Sequence, residues 1–295
     1  MTARAFVATT RPHHRVENLL VFVPILAAGR VDDIAGLTGA ALAFIAMSIV
    51  ASTIYLFNDL VDLDNERRHP RRRRRGFAAG TAPSSLGLAA IPVGFVVGTG
   101  LAWAAGALPV VLLYVATTLL YSTVVKRVAV ADIFVLAALY TVRVVAGGKA
   151  GGNEATLWLL GFSGFLFLDL AAVKRAAQLV QGRRTSTANG RGYAVADLEF
   201  VRTLGIAAAM ASAVLLALHV NDKAATGKYA TPEALWLCVP IVLYCQIRMW
   251  IPVDRGRMTD APILFTVRDR VSIAAGFTVA LCVLAAHVAW PDGLG

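Results

Sequence analysis

The sequence predicts an all-helical protein that lies in a membrane and crosses it about nine times. Three observations lead there. Of the 295 residues, 58% are hydrophobic and 16% charged, with a mean hydropathy of +0.67. A water-solvated domain carries about 25% charged residues, so that class is excluded. Apolar runs of the length a helix needs to cross a bilayer recur along the whole chain. The charges that remain are sorted, with basic residues gathered on alternate loops.

Taken in order, the apolar runs are 17–29, 36–60, 83–104, 107–125, 130–148, 156–173, 203–220, 233–251 and 270–290. The segment before the first run holds Arg4, Arg11 and Arg15 but no apolar core and no small-residue cleavage signal, so no removable signal peptide is expected. Basic residues follow the second run (Arg67, Arg68, Arg71 to Arg75), the fourth (Lys126, Arg127), the sixth (Lys174 to Arg202) and the eighth (Arg248 to Arg270). Together with the N-terminus these loops hold 23 Lys and Arg, against four on the other side. The positive-inside rule therefore expects the N-terminus and these loops in the cytoplasm. The formal net charge of +10 has the same explanation: its carriers face anionic lipid or an anionic substrate, and no nucleic-acid partner is expected. Cys238, Cys245 and Cys282 stand singly among apolar residues, as small hydrophobes do. A single membrane domain over 1–295 is expected.

The second run ends in the first group able to do chemistry. Asn58, Asp59, Asp62 and Glu66 fall within an arc of roughly 100° on a helix. An amide and three carboxylates on one face repel each other unless a cation sits among them, and hard oxygen donors of this kind suit Mg²⁺ bridged to substrate phosphates. A solvated acidic helix end is the plainer alternative. Next in the chain come Arg71 to Arg75, either a lipid-facing basic patch and topology signal or a set of phosphate ligands. Arg72 and Arg75 are the two expected to bind substrate.

A second group follows the fourth run. Tyr121, Ser122 and Lys126 precede a short turn, and Asp132 opens the next helix. This brings a cation and a further carboxylate to the depth of the first group. Arg143 lies deeper, where an ionised side chain is costly and marks either function or a structural ion pair, for which Asp169 is a candidate. Lys174 and Arg175 close the sixth run, and Arg191 and Tyr193 lie in the loop beyond; as positive-inside flanks they need no further role, and as ligands they would ring the same opening.

These residues resemble the UbiA superfamily of intramembrane prenyltransferases, whose signature Asn-Asp-x-x-Asp-x-x-x-Asp reads here from Asn58 to Glu66, with Glu in the last place. Within it the chain is similar to the decaprenyl-phosphate phosphoribosyltransferase branch. The likeness rests on Arg11-Pro12 ahead of Asn18, His69-Pro70 with Arg72 and Arg75, Tyr121-Ser122 with Lys126 and Asp132, Arg143 before Ala146-Gly147-Gly148, and Lys174-Arg175. Glu17 stands where that branch tends to have lysine, and Gly76 replaces a proline. The segment 257–272 is similar to that of larger UbiA-type proteins, some of them fused to a soluble phosphatase-like domain.

The resemblance implies a bundle of about nine helices around a central cavity open to the cytoplasmic side and to the bilayer, in the bacterial inner membrane. It implies Mg²⁺ as cofactor and a diphosphate leaving group. Asn58, Asp59, Asp62 and Glu66 would hold the metal, with Asp62, Lys126 and Asp132 catalytic. Arg72, Arg75, Tyr121, Lys126, Arg143, Lys174 and Arg175 would bind substrate. The expected reaction moves 5-phosphoribose from phosphoribosyl diphosphate to a polyprenyl phosphate and feeds a lipid-linked pentose, plausibly arabinose, pathway. Two alternatives stay open: transfer of a prenyl group from a prenyl diphosphate to an aromatic or other small acceptor, and a non-enzymatic transporter or scaffold. Assembly into a homo-oligomer is left open as well.

Overall fold

Asp33 caps the first long helix, its side chain accepting a hydrogen bond from the Gly36 amide at 2.9 Å, and from there the chain is helical almost throughout. The computed structural model describes residues 9–30, 32–63, 67, 76–185, 192–225, 229–258 and 261–287. Among the described residues there is no strand. The chain divides into two compact units, Met1–Val124 with Val142–Ala155, and Val125–Thr141 with Thr156–Gly295.

The first unit begins with a 3-10 helix over Pro12–Phe22 that passes into the short helix α1 (Val23–Ala27). Here the structure departs from the continuous membrane helix expected over 17–29. Pro24 has no N–H to give the Leu20 carbonyl, the i−4 acceptor of an α-helix. The Val23 amide bonds that carbonyl instead, one residue early, which is the 3-10 pattern. The tighter coil lies against the C-terminal half of α5 (Ala131–Ala150), where a Cβ on Gly147 would come within 1.8 Å of the Val21 carbonyl oxygen. Glycine is the side chain that allows this approach.

Beyond it run α2 (Ile34–Val61), α3 (Ser84–Ala104) and α4 (Leu108–Thr123). α2 packs on α3 and buries Ala40, Ala43, Ala46, Met47 and Val50 at helical spacing.

The second unit holds the N-terminal half of α5, then α6 (Leu157–Thr185) against α7 (Leu198–Ala225). A 3-10 turn over Pro232–Leu237 leads into α8 (Cys238–Arg248), followed by α9 (Trp250–Asp254), α10 (Pro262–Thr266) and α11 (Arg270–His287). The Gln246 amide and Ser212 hydroxyl join α8 to α7 by a buried hydrogen bond of 2.8 Å, the kind of polar contact that links helices in lipid.

Six stretches among the described residues are long and apolar enough to cross a membrane: Ile34–Val61, Ser84–Ala104, Ala131–Ala150, Leu157–Gly182, Val195–Asp222 and Pro232–Asp254. Leu108–Thr123 and Arg270–Ala286 are shorter apolar helices. Eight of the nine expected runs are therefore apolar helical segments, and the first is the 3-10 segment with α1. Large side chains such as Trp103 (74% exposed) and Leu157 (86% exposed) stand outward on these helices, an arrangement stable in lipid and costly in water.

Another departure concerns α6. The sequence ends that helix at 173, before Lys174 and Arg175, whereas it runs on to Thr185. Ala171, Ala172, Ala176 and Ala177 are buried along it, and Arg175 is buried with them because its charge is met by a carboxylate.

Candidate active site

The first unit presents its chemistry where α2 ends. Asn58 is half-buried and its amide donates to the Ser122 hydroxyl of α4 at 3.3 Å. One residue on, Asp59 is buried, and its carboxylate is paired with Arg11, which approaches from the residue just before the 3-10 segment. The same guanidinium lies 4.7 Å from the centroid of the Tyr55 ring, one turn earlier on α2. Asp62 is the C-cap, its amide bonded to the Asn58 carbonyl at 2.9 Å, with its side chain half-buried. Tyr121, at the end of α4, is half-buried. Glu66, Arg72 and Arg75 lie outside the described residues.

This donor set is two carboxylates one turn apart and an amide, all hard oxygens. Among the described residues no three His, Cys, Asp or Glu side chains gather around one point. That composition fits a magnesium ion held through one or two carboxylates and completed by water and substrate phosphate. The Arg11 guanidinium supplies the positive charge that compensates this buried carboxylate of Asp59.

Arg143 is buried in the same unit and fully engaged. Its Nε donates to Asn18 Oδ1 at 2.9 Å and its Nη2 to the Tyr114 hydroxyl at 3.3 Å, with Glu17 Oε2 at 3.5 Å. The guanidinium also sits 5.0 Å from the Tyr114 ring centroid, and Asn18 in turn donates to Ser48 at 3.0 Å. The arginine thereby fastens the 3-10 segment to α4 and α5. The candidate partner Asp169 belongs to the second unit, where it accepts a hydrogen bond from Trp250 Nε1 at 3.0 Å.

The second unit has its own cluster around Asp132. A 3-10 turn over Val125–Arg127 carries the half-buried Lys126 and leads to Val130, whose φ of 67° is rare for a β-branched residue. Tyr193 holds this turn in place. Its hydroxyl accepts from the Val130 amide at 2.6 Å and donates to Asp132 Oδ1 at 2.6 Å. Burial first, then the bond to Asp132, push the Tyr193 hydroxyl well above the ordinary tyrosine range, so it stays protonated as a donor. Gly192 lets the loop come this close, since a Cβ there would lie 2.4 Å from the Arg127 carbonyl oxygen. The other Asp132 oxygen is paired with Arg175, which also bonds Gln178 and lies 5.7 Å from the Tyr193 ring centroid. Asp132 is fully buried, so the structure places it inside the protein with both oxygens engaged. Lys174, beside Arg175, is half-buried.

A family model matches this chain over residues 19–257, from the 3-10 segment past α9. The chain belongs to the UbiA prenyltransferase family. It is a polytopic membrane protein of the UbiA transferase type, which sets aside the transporter and scaffold readings. Among its UbiA-like relatives, protein y4nM of Sinorhizobium fredii is 33% identical over 288 residues, covering 94% of this chain; the chain spans 56% of the length of that relative. A decaprenyl-phosphate phosphoribosyltransferase of Mycobacterium tuberculosis is 32% identical over 279 residues, 90% of this chain and 88% of the relative. Among solved structures, a UbiA homolog from Archaeoglobus fulgidus bound to GPP and Mg²⁺ superposes with a TM-score of 0.70 over 96% of this chain and 100% of the other, at 15% identity. At that identity the likeness concerns the fold. Of the residues expected from the sequence to form the Asn-Asp-x-x-Asp-x-x-x-Asp signature, Asn58, Asp59 and Asp62 lie among the described residues.

The residues that the sequence did not single out as ligands are partners: Arg11 on Asp59, Gln178 on Arg175, and Glu17, Asn18 and Tyr114 around Arg143; Tyr193, a candidate ligand, is instead a partner of Asp132. Arg11 and Tyr193 were named in the sequence, but sequence spacing carries no signal for a contact across 48 or 61 positions.

Proposed function

We propose that this protein is a Mg²⁺-dependent intramembrane transferase that moves 5-phosphoribose from phosphoribosyl diphosphate to a polyprenyl phosphate at the cytoplasmic face of a bacterial inner membrane. The observation that carries the reading is the α2 exit: a buried Asp59 already paired with a cation, with Asp62 one turn on and Asn58 beside it. The sugar donor and lipid acceptor are supported by the 32% identity to the mycobacterial decaprenyl-phosphate phosphoribosyltransferase across 90% of the chain. The orientation is supported by the 23 to four distribution of basic residues.

In this reading Asn58, Asp59, Asp62 and Glu66 hold the metal. When bound, Mg²⁺ supplies charge neutralisation for the diphosphate oxygens as they leave. Arg72 and Arg75 bind the remaining phosphate oxygens, and Tyr121 offers a hydroxyl. The bond from C1 of ribose to the diphosphate breaks, an oxygen of the lipid phosphate forms the new bond to C1, and diphosphate departs with the electron pair. No protein nucleophile is required; catalysis is positioning and electrostatic stabilisation in a site that excludes water. Asp132 and Arg143, whose polar atoms are engaged within the protein, serve as positioning residues. The first holds the turn that carries Lys126, and the second holds the 3-10 segment that leads back to Arg11.

The test is direct. Membranes containing the protein are incubated with labelled phosphoribosyl diphosphate and a polyprenyl phosphate, with and without EDTA. Labelled lipid that forms with magnesium and disappears with EDTA is the expected result. Its absence in the magnesium sample overturns the reading. The same membranes given a labelled prenyl diphosphate and an aromatic acceptor test the second reading, prenyl transfer, which the fold of the GPP-bound homolog favours.

A further inference from the structure

The described structure sets the Arg11 guanidinium directly on the buried Asp59 carboxylate. Arg11 takes up a left-handed backbone (φ 49°, ψ 59°), unusual for a residue other than glycine, immediately before Pro12 opens the 3-10 helix. Its guanidinium reaches Asp59 and the Tyr55 ring and is itself 21% exposed, while the carboxylate it covers is 5% exposed. The strained backbone, the ring and the buried carboxylate thus converge on one guanidinium.

The physical consequence concerns the metal that the proposed function assigns to Asp59, and the inference rests on that reading. A divalent ion binding the same carboxylate would place two further positive charges within a few ångströms of the guanidinium, in surroundings of low dielectric. Both cations do not share Asp59 without an anion between them. We infer that Arg11 is a further binding residue of the site with two successive partners: it neutralises Asp59 while the metal is absent, and it pairs with the diphosphate when metal and diphosphate are present together. The metal alone must displace Arg11 without compensation. Metal with diphosphate gives the guanidinium a new acceptor, and the fork of an arginine matches a phosphate edge. Arg11 therefore couples the two ligands, so that each raises the affinity for the other by the same factor.

The experiment uses the full chain in lipid nanodiscs, Mn²⁺ as a spectroscopic stand-in for Mg²⁺, and inorganic diphosphate as the anion, with metal binding read by electron paramagnetic resonance. In Arg11→Gln, Mn²⁺ alone should bind about tenfold more tightly than in the wild type, and the gain on adding diphosphate should shrink by about the same factor. Arg11→Lys keeps the charge and loses the fork, and should fall between the two. It also carries the test should the glutamine variant not fold. Arg30→Gln removes an arginine that pairs with Asp33 and Asn153 instead, and should bind as the wild type does. Equal Mn²⁺ affinities in wild type, Arg11→Gln and Arg11→Lys, with and without diphosphate, overturn the coupling and leave the metal site standing. No saturable Mn²⁺ binding by the wild type under either condition overturns the metal site and the coupling with it.

Discussion

Two carboxylate sites, Asp59 with Asp62 in one unit and Asp132 in the other, are treated in opposite ways. Asp132 is sealed: fully buried, with Tyr193 on one oxygen and Arg175 on the other. The α2 exit is less enclosed. Asp62 is half-buried at a helix C-cap, and the cation on Asp59 belongs to the N-terminal approach to the 3-10 segment. Both are acidic residues in apolar surroundings, and the sequence alone treats them alike. Partners decide the difference. A carboxylate whose oxygens are taken by fixed neighbours organises structure, whereas one faced by an exchangeable cation can take a ligand.

The largest expected effect breaks the comparison at the open end. Asp62→Ala should lower phosphoribosyl transfer by at least about a hundredfold, the scale of losing one electrostatic element of a transition state, with little change in the thermal midpoint in detergent. A comparable loss of midpoint would make Asp62 a structural residue. At the sealed end the signs reverse. Asp132→Ala leaves the buried Arg175 charge without its carboxylate and should destabilise the second unit by about 3–5 kcal/mol, seen as a lower midpoint or as poor recovery from membranes. Asp132→Ala at wild-type midpoint with lost turnover would move Asp132 into the same class as Asp62.

How much of this could be read in the sequence follows from the same contrast. The all-helical membrane fold was legible because hydropathy is a local property: every run from 36 onward became an apolar helix or a helical segment with 3-10 ends. The first run failed because a single missing N–H at Pro24 outweighs composition. The end of α6 failed because Lys174 and Arg175 read as solvated charges, and what buries Arg175 is Asp132, 43 positions away. The signature Asn58, Asp59 and Asp62 was legible as a cluster because helical spacing puts the three on adjoining turns. Whether a charged residue is a ligand or a bolt was not legible, since for Arg143 the answer lies in Asn18, 125 positions away, and in Tyr114.

A finer cut through the sealed cluster is Tyr193→Phe. The phenyl ring keeps the packing beside Arg175, while the Val130 amide loses its acceptor and Asp132 loses a donor. The loss should be about 1–3 kcal/mol, smaller than for Asp132→Ala. If Asp132 positions the turn that carries Lys126, the transfer rate falls with it and faster hydrogen exchange appears over 125–131. A rate loss without faster exchange would show that the hydroxyl acts on substrate directly.

The smallest effect comes from an acidic residue of a third kind, half-buried and paired. Asp269, before α11, accepts from Arg248 Nη1 at 2.6 Å and from the Ser272 amide at 2.9 Å. The Arg248 hydrogen bond, with lesser help from Ser272, holds its carboxyl below the usual carboxylate range. A group whose pKa is lower in the folded chain than in the unfolded one stabilises the fold above the unfolded value, near 4, and loses that contribution as the pH falls through the folded value. Stability at neutral pH therefore contains the full contribution, and acid removes it. Asp269→Asn should lower the thermal midpoint slightly at pH 7 and make it fall less steeply between about pH 5 and pH 3, because the side chain that titrates there is gone. Asp132→Asn makes the contrast: the partner it leaves behind is buried, so its cost should already be large at pH 7, where the Asp269 variant differs little from the wild type. Should the two variants show the same loss at pH 7, burial would not be what separates the partly exposed ion pair from the sealed one, and the distinction drawn between the two carboxylate sites would lose its physical basis.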